Sequence, residues 1–415
     1  MNKGGNILKK FGLIVGALLI CSQSYGATLG ELIVKLEQDG YSTKYRTLEE
    51  KQLFIDNKKI ELIDRNGIDI EGSTEISDID GESSSGSLSA SYDFFKYESE
   101  YNDDEQLFGL EKNLKDIFYG DRKYSRNLFT IDEATRLNSE DERMEEEILS
   151  LIDTYQTLMD TRLELKLKKS LLPSLEADAA KLEKGFSTGQ SSKLDYKYSE
   201  MSLKNLNNDI DQLNEDLIQI EKTFETVFNL KIDSEIEYTK LSELIPDDIN
   251  NIGDRSLETI DLSMEKVEED KKYSTYDNKY PDLYAGTFYD VKNDGWLVRF
   301  SIDKTLFEYD DVTATYEVEK ERLEMEKQKL EKSVKNQRDE YYNEYNALLK
   351  EITNLKLQEE VDEMAYQIYK LNYEQGNETY INYIEKYEEY IESSVELEKK
   401  ENELTAFIYE MQYRR

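Results

Sequence analysis

Apolar residues recur along most of this chain at alternating steps of three and four. Between residues 203 and 227 they fall at Leu203, Leu206, Ile210, Leu213, Leu217, Ile220, Phe224 and Val227. That period of 3.5 predicts a long helix carrying a seam for knobs-into-holes packing. The same seam runs upstream through Met144, Ile148, Leu151, Tyr155, Leu158, Leu165, Leu172, Leu175, Ala179, Leu182 and Phe186. It returns at Leu323, Leu330, Val334, Tyr341, Tyr345, Leu348, Ile352 and Leu355, and again at Tyr383, Tyr387, Tyr390, Leu397, Leu404, Ile408 and Met411. Helices of about 60 residues reach about 90 Å at 1.5 Å per residue. Pro173 lies inside one of them and predicts a local kink, because its ring removes a backbone hydrogen bond. Thr28-Leu29-Gly30-Glu31 has capping-box spacing and opens a helix to about Gln38; another follows from Thr47 to Leu62.

Two stretches change period. Within 67–118, Leu88, Ala90, Tyr92 and Phe94 alternate with Ser89, Ser91 and Asp93. Within 281–304, Leu283, Ala285, Thr287 and Tyr289 share one face of a strand. Lys292-Asn293-Asp294-Gly295 is a hairpin turn, after which Trp296, Val298, Phe300 and Ile302 share a face opposite Arg299, Ser301 and Asp303. Two β hairpins are expected, four strands in all. Taken alone, such alternation fits a soluble hairpin packed on helices as well as a membrane strand pair.

The N-terminus supplies an address. Lys3, Lys9 and Lys10 precede the apolar run Phe11–Ile20, and Ser24-Tyr25-Gly26 offers small residues for cleavage. This is a secretory signal cut after Gly26. Ten apolar residues are too few to span a bilayer, and no later stretch approaches 18, so any membrane crossing must use strands. Composition then narrows the chemistry. The 53 Lys and Arg face 91 Asp and Glu, a formal charge of -38. Loss of three signal lysines leaves 50 against 91, or -41. Nucleic acid is a poor partner for such a chain. The absence of His and the single Cys21 exclude His triads, disulfides and Cys/His metal sites. No catalytic residues, cofactor or metal are assigned, and the chain is not expected to be an enzyme.

The halves of the chain can be overlaid. Asp116-Ile117-Phe118-Tyr119 lies against Thr305-Leu306-Phe307-Glu308 at an offset of 189. Phe186-Ser187-Thr188-Gly189 lies against Tyr373-Glu374-Gln375-Gly376 at 187, which sets Leu194 on Ile381 and Asp195 on Asn382. One order at nearly one offset points to an internal duplication. Both 186–195 and 373–382 resemble the aromatic-x-x-Gly-x-x-x-x-apolar-Asp/Asn element at the helix–helix turns of the TolC-like outer-membrane efflux proteins. Lys304–Asp311 and Lys115–Asp121 resemble that family's step from strand to long helix, with Thr305 where the family has Pro. Thr28–Glu31 resembles its mature start, so the resemblance covers nearly all of 27–415.

The resemblance implies a mainly α, TolC-like fold with a transmembrane β part: long coiled-coil helices forming an α-barrel, four strands per protomer in a shared trimeric β-barrel, and an internal two-fold repeat. Four strands cannot close alone, since an open edge in lipid leaves backbone groups unsatisfied. Three copies would give twelve strands above a twelve-helix periplasmic tunnel. The expected segments are 1–26 signal, 27–66 N-terminal periplasmic helices, 67–118 first β hairpin region, 119–245 first long helix pair, 246–280 equatorial connection, 281–304 second β hairpin and 305–415 second long helix pair. Lipid-facing candidates are Leu88, Ala90, Tyr92, Phe94, Leu283, Ala285, Trp296, Val298, Phe300 and Ile302. By resemblance, Thr188, Gly189, Gln190, Ser191, Gln375, Gly376, Asn377 and Glu378 form the periplasmic tips that contact the adaptor protein. Asp195, Asn382, Glu385 and Tyr373 fall on positions lining the aperture. The implied function is the passive exit duct of a tripartite efflux pump or type I secretion system, in the outer membrane with a periplasmic extension. Its partners would be two further copies, a periplasmic adaptor, an inner-membrane pump and outer-membrane lipid. The competing reading is a soluble exported coiled-coil protein, such as an adaptor or envelope scaffold.

Overall fold

The computed structural model describes residues 28–63, 68–77, 83–100, 105–232, 246–305 and 311–415. The signal expected at 1–26, and residues 306–310 of the second strand-to-helix step, lie outside the described residues. In chain order the elements are α1 (Leu29–Asp39), α2 (Tyr41–Glu61), β1 (Asp69–Ser77), β2 (Ser83–Tyr92), β3 (Phe95–Glu100), β4 (Glu105–Asn113), α3 (Leu114–Tyr119), α4 (Asp121–Ser187) and α5 (Lys193–Val227). They continue with α6 (Pro246–Asn250), α7 (Asp254–Lys279), β5 (Asp282–Asp290), β6 (Gly295–Asp303), α8 (Val312–Glu374) and α9 (Tyr380–Tyr413). The chain divides into two compact units: Met1–Lys44 with Glu142–Ile252 and Asn336–Arg415, and Tyr45–Asp141 with Gly253–Lys335.

The first unit is helical, and its core is built from the predicted seams. The Thr28 side chain accepts from the Glu31 amide while Glu31 reaches back to the Thr28 amide, so the capping box opens α1. Leu32, Ile33 and Leu36 of α1 are fully buried against Ile148, Leu151, Ile152, Tyr155 and Leu158 of α4, Phe224 of α5 and Ala406 of α9. Each such aliphatic side chain contributes about 1.5–3 kcal/mol of burial. A second cluster joins Leu165, Leu175 and Leu182 of α4 to Leu206 and Ile210 of α5 and Tyr380, Tyr383 and Ile384 of α9. A third joins Ile249 and Ile252 to Leu348 and Ile352 of α8 and Leu397, Leu404, Ile408 and Met411 of α9. The seams weaken at their ends, where Phe186 and Val227 are exposed, and Leu171 is buried more deeply than Leu172. α4 continues through Pro173 as one helix.

The second unit holds a six-stranded antiparallel meander in the order β1-β2-β3-β4-β5-β6. This corrects the expectation of four strands: the region 67–118 supplies four by itself. Two features hide them in the sequence. β1 and the upper part of β2 carry Ser, Gly and Glu, so no apolar alternation marks them. The β2–β3 turn is the two-residue pair Asp93-Phe94, with Asp93 at φ 55, and has no glycine to announce it. Residues 246–280, expected as a connection, contain the 26-residue helix α7. Its start, Gly253, has φ +83, and a Cβ there would strike Val334. α7 lies against the end of α3 through Tyr119 on Glu269, and against the first turns of α4 through Asn127 on Glu269, Tyr124 on Asp270 at 2.7 Å, and Tyr273 on Asp121. At the strand-to-helix step the buried Lys115 amine meets Asp277 at 2.5 Å and Asp282 at 3.4 Å.

Candidate functional site

Two helix reversals are built to one design. In the first, the Gly189 amide donates to the Phe186 carbonyl at 3.1 Å and the Gln190 amide to the Gly185 carbonyl at 2.7 Å. In the second, the Gly376 amide donates to Tyr373 and the Asn377 amide to Asn372, both at 2.9 Å. These are the paired bonds of a Schellman C-cap. Gly189 and Gly376 both have φ +76, and nothing lies within 4 Å of a Cβ added at either. Conformation therefore requires glycine there, not crowding. The next helix is capped alike: the Asp195 amide donates to the Ser192 hydroxyl at 3.0 Å, and the Asn382 amide to the Thr379 hydroxyl at 3.3 Å. Phe186 stacks on Tyr196 at 5.4 Å and Tyr373 on Tyr383 at 5.0 Å. All these pairs obey the offset of 187 read from the sequence.

The side chains differ. Thr188, Gly189 and Gln190 are exposed with Ser191 half-buried, and Gln375, Gly376 and Asn377 are exposed with Glu378 half-buried. Asp195 is half-buried and accepts from Ser192 at 2.6 Å, whereas Asn382 and Glu385 are exposed and the Asn382 amide group donates to Glu378 at 2.8 Å. Tyr373 belongs to a ladder that the sequence reading missed. Tyr366 stacks on Tyr387 at 4.7 Å and Tyr390 at 5.8 Å, and Tyr380 packs edge-on to Tyr383. The signal was present: Tyr366, Tyr373, Tyr380 and Tyr387 are seven apart. Burial raises the pKa of Asp178 above the usual carboxylate range, partly offset by Lys181 and Lys370. Burial, then the like charges of Glu392 and Glu385, raises Glu388.

The sheet has two unlike faces. One row crosses all six strands: Ile70, Ala90, Tyr97, Phe108, Tyr289 and Trp296. The next row holds Tyr92, Phe95, Leu110, Thr287 and Val298. On this face Trp296 and Phe300 are each 76% exposed. It carries nine of the ten lipid-facing candidates. Phe94 is the exception, because it sits in the β2–β3 turn and Phe95 takes the strand position. The opposite face is polar. Arg299 meets Glu98 at 2.7 Å, and Lys96 meets Glu98 and Glu111, each at 2.8 Å. The Arg299 guanidinium covers the ring of Phe288 at 4.6 Å, and that ring is fully buried over Gly109 and Gly286. Among the described residues no helix is long and apolar enough to cross a membrane, and no group of three or more acidic or Cys/His side chains is arranged for a metal.

No family model matches the chain, and no curated protein matches it in sequence. Solved structures do match. The outer membrane protein VceC from Vibrio cholerae aligns over 92% of this chain and 96% of its own, with a TM-score of 0.65 at 14% identity. The Neisseria gonorrhoeae MtrE outer membrane channel, in its open state, aligns over 93% and 88% with a TM-score of 0.67 at 12% identity. The Campylobacter jejuni CmeC outer membrane channel aligns over 96% and 90% with a TM-score of 0.62 at 13% identity. The fold is that of the TolC-like outer-membrane channels. A TolC-like fold accounts for the two capped reversals as the ends of duplicated helical hairpins.

Proposed function

We propose that this chain is the outer-membrane exit duct of a tripartite efflux pump or type I secretion system, acting as a homotrimer. It conducts passively and performs no chemistry. One observation carries the reading: a TolC-like fold whose sheet turns a continuous apolar row, from Ile70 to Trp296, away from its ionic face. A band of Trp, Phe, Val and Ile in that exposure suits lipid, and an ionic face suits an aqueous lumen. Leu88, Ala90, Tyr92, Leu283, Ala285, Trp296, Val298, Phe300 and Ile302 face lipid in this account. The exposed reversals around Gly189 and Gly376 meet the periplasmic adaptor, and an inner-membrane pump engages through it. Asp195, Asn382 and Glu385 line the periplasmic aperture, with Tyr373 bracing it, where rings of charge set ion selectivity. Opening is a movement of packed helices between two arrangements. The signal at 1–26 directs export and is removed.

The test is fractionation of cells expressing the full chain, followed by electrophoresis with and without heating. The expected result is an outer-membrane species of trimer mass that collapses to monomer on heating. A soluble periplasmic species of any mass would replace the duct with an exported scaffold.

A further inference from the structure

We infer that the first helix reversal, 184–197, docks a partner helix hairpin whose tip is acidic around an apolar residue. The inference rests on the adaptor contact proposed above and names the chemistry of one of its two turns. The chain as a whole carries a formal charge of -38. Residues 181–197 stand out from that background. Lys181, Lys184, Lys193 and Lys197 outnumber Glu183 and Asp195, a net of +2. The duplicate stretch, 368–384, has Lys370 against Glu374 and Glu378, a net of -1. At the offset of 187, Lys193 falls on Tyr380 and Lys197 on Ile384, which are 2% and 1% exposed. Where the second reversal buries apolar side chains, the first holds cations in water.

Two of these amines are available to a partner. Lys184, Lys193 and Lys197 are exposed, and Lys197 meets Glu200 at 2.5 Å. Lys181 lies over the ring of Tyr373 at 5.3 Å. Among the described residues no carboxylate, carbonyl or ring takes up the amine of Lys184 or Lys193. The nearby Asp195 carboxylate is engaged with the Ser192 hydroxyl at 2.6 Å. The turn fixes where the lysines stand. The Gln190 and Ser191 amides donate to the Gly185 carbonyl at 2.7 and 3.1 Å, and a Cβ at Gly185 would strike Ser191. The start of α5 adds the partial positive charge of its free amides. Beside Lys193, Leu194 is 67% exposed, whereas its duplicate Ile381 is half-buried. A leucine set among lysines suits an apolar contact with a rim of carboxylates. At about 0.15 M salt, charges more than about 8 Å apart are largely screened. A surface touching this turn therefore meets its lysines rather than the net charge of the chain.

The test uses the detergent-extracted full-length protein and two synthetic helical hairpins of one design as probes. Both carry a photoreactive leucine analogue at the turn; one flanks it with Glu, the other with Lys. Crosslinks formed at about 0.15 M salt are mapped by mass spectrometry. The expected result is crosslinking of the acidic hairpin within 184–197. Its yield should fall about tenfold in the Lys184→Glu/Lys193→Glu variant, because two exposed ion pairs become two repulsions. Lys184→Gln/Lys193→Gln should fall between, and Glu374→Gln should leave the yield at this turn unchanged. Preference of this turn for the basic hairpin, acidic crosslinks placed elsewhere, or a yield indifferent to Lys184→Glu/Lys193→Glu would overturn the inference. A neighbouring copy that already covers Leu194 would leave no crosslink there and would overturn it as well. Fractionation judges the duct separately. Outer-membrane trimers that refuse the acidic hairpin sink this inference alone, whereas a soluble periplasmic chain sinks the duct and this contact with it.

Discussion

The two helix reversals share a backbone and differ in chemistry. Both end in a glycine at φ +76, both use a hydroxyl cap, and both stack an aromatic from the incoming helix on one from the outgoing helix. Yet in the first the pair stands almost alone, with Phe186 exposed, while in the second Tyr373 and Tyr383 sit within a ladder of tyrosines. Duplication preserved what the turn geometry needs. Burial and charge were free to diverge, because they depend on what packs against each turn.

The largest expected contrast lies in those aromatics. Tyr383→Ala should cost about 3 kcal/mol, as for a large buried aromatic, whereas Tyr196→Ala at the more exposed stack should cost about 1 kcal/mol. Denaturant midpoints of the two variants would show it, and equal losses would erase the distinction. The glycines should behave identically. Gly189→Ala and Gly376→Ala each force a left-handed Ala and should cost about 1–2 kcal/mol, with no difference from packing, since both sites are open. A wide gap in thermal midpoint between them would mean that the reversals differ in backbone after all. The caps come next: Ser192→Ala and Thr379→Ala should each cost about 1 kcal/mol, read as faster amide exchange in the first turns of α5 and α9.

The smallest effect is in pH. Asp178 and Glu388 have carboxyl pKa values raised by burial. The folded chain then binds more protons than the unfolded one between the ordinary and the raised values. Their charge opposes folding at neutral pH, so stability should rise on mild acidification through that window and fall again as pH increases. Thermal midpoints of the wild type and Asp178→Asn should converge as pH drops. A gap independent of pH would remove Asp178 from the account.

Much of this was legible in the sequence, for identifiable reasons. A period of 3.5 survives any tertiary context that buries one seam, so Leu206, Ile210, Leu348 and Ile408 were found. The reversals were legible because an aromatic-x-x-Gly element recurs at one offset and a left-handed turn needs glycine; their hydroxyl caps, Ser192 and Thr379, came only with the structure. β1 and the upper part of β2, rich in Ser, Gly and Glu, give no apolar alternation to detect, so the strand count fell short. Phe94 was put on the lipid face because consecutive aromatics conceal a turn at Asp93. The tyrosine ladder is hidden for a different reason: its seven-residue spacing crosses the reversal, so neither helix displays it alone.

The central claim is that this acidic chain conducts across a bilayer. The decisive measurement is the conductance of the purified, detergent-extracted oligomer in a planar bilayer, with reversal potentials under a salt gradient. The account predicts discrete channel steps that favour cations, with the preference reduced in the Asp195→Asn/Glu385→Gln double variant. A bilayer that stays silent with properly assembled trimers on both faces, at every potential and with the adaptor-facing turns altered, would contradict it.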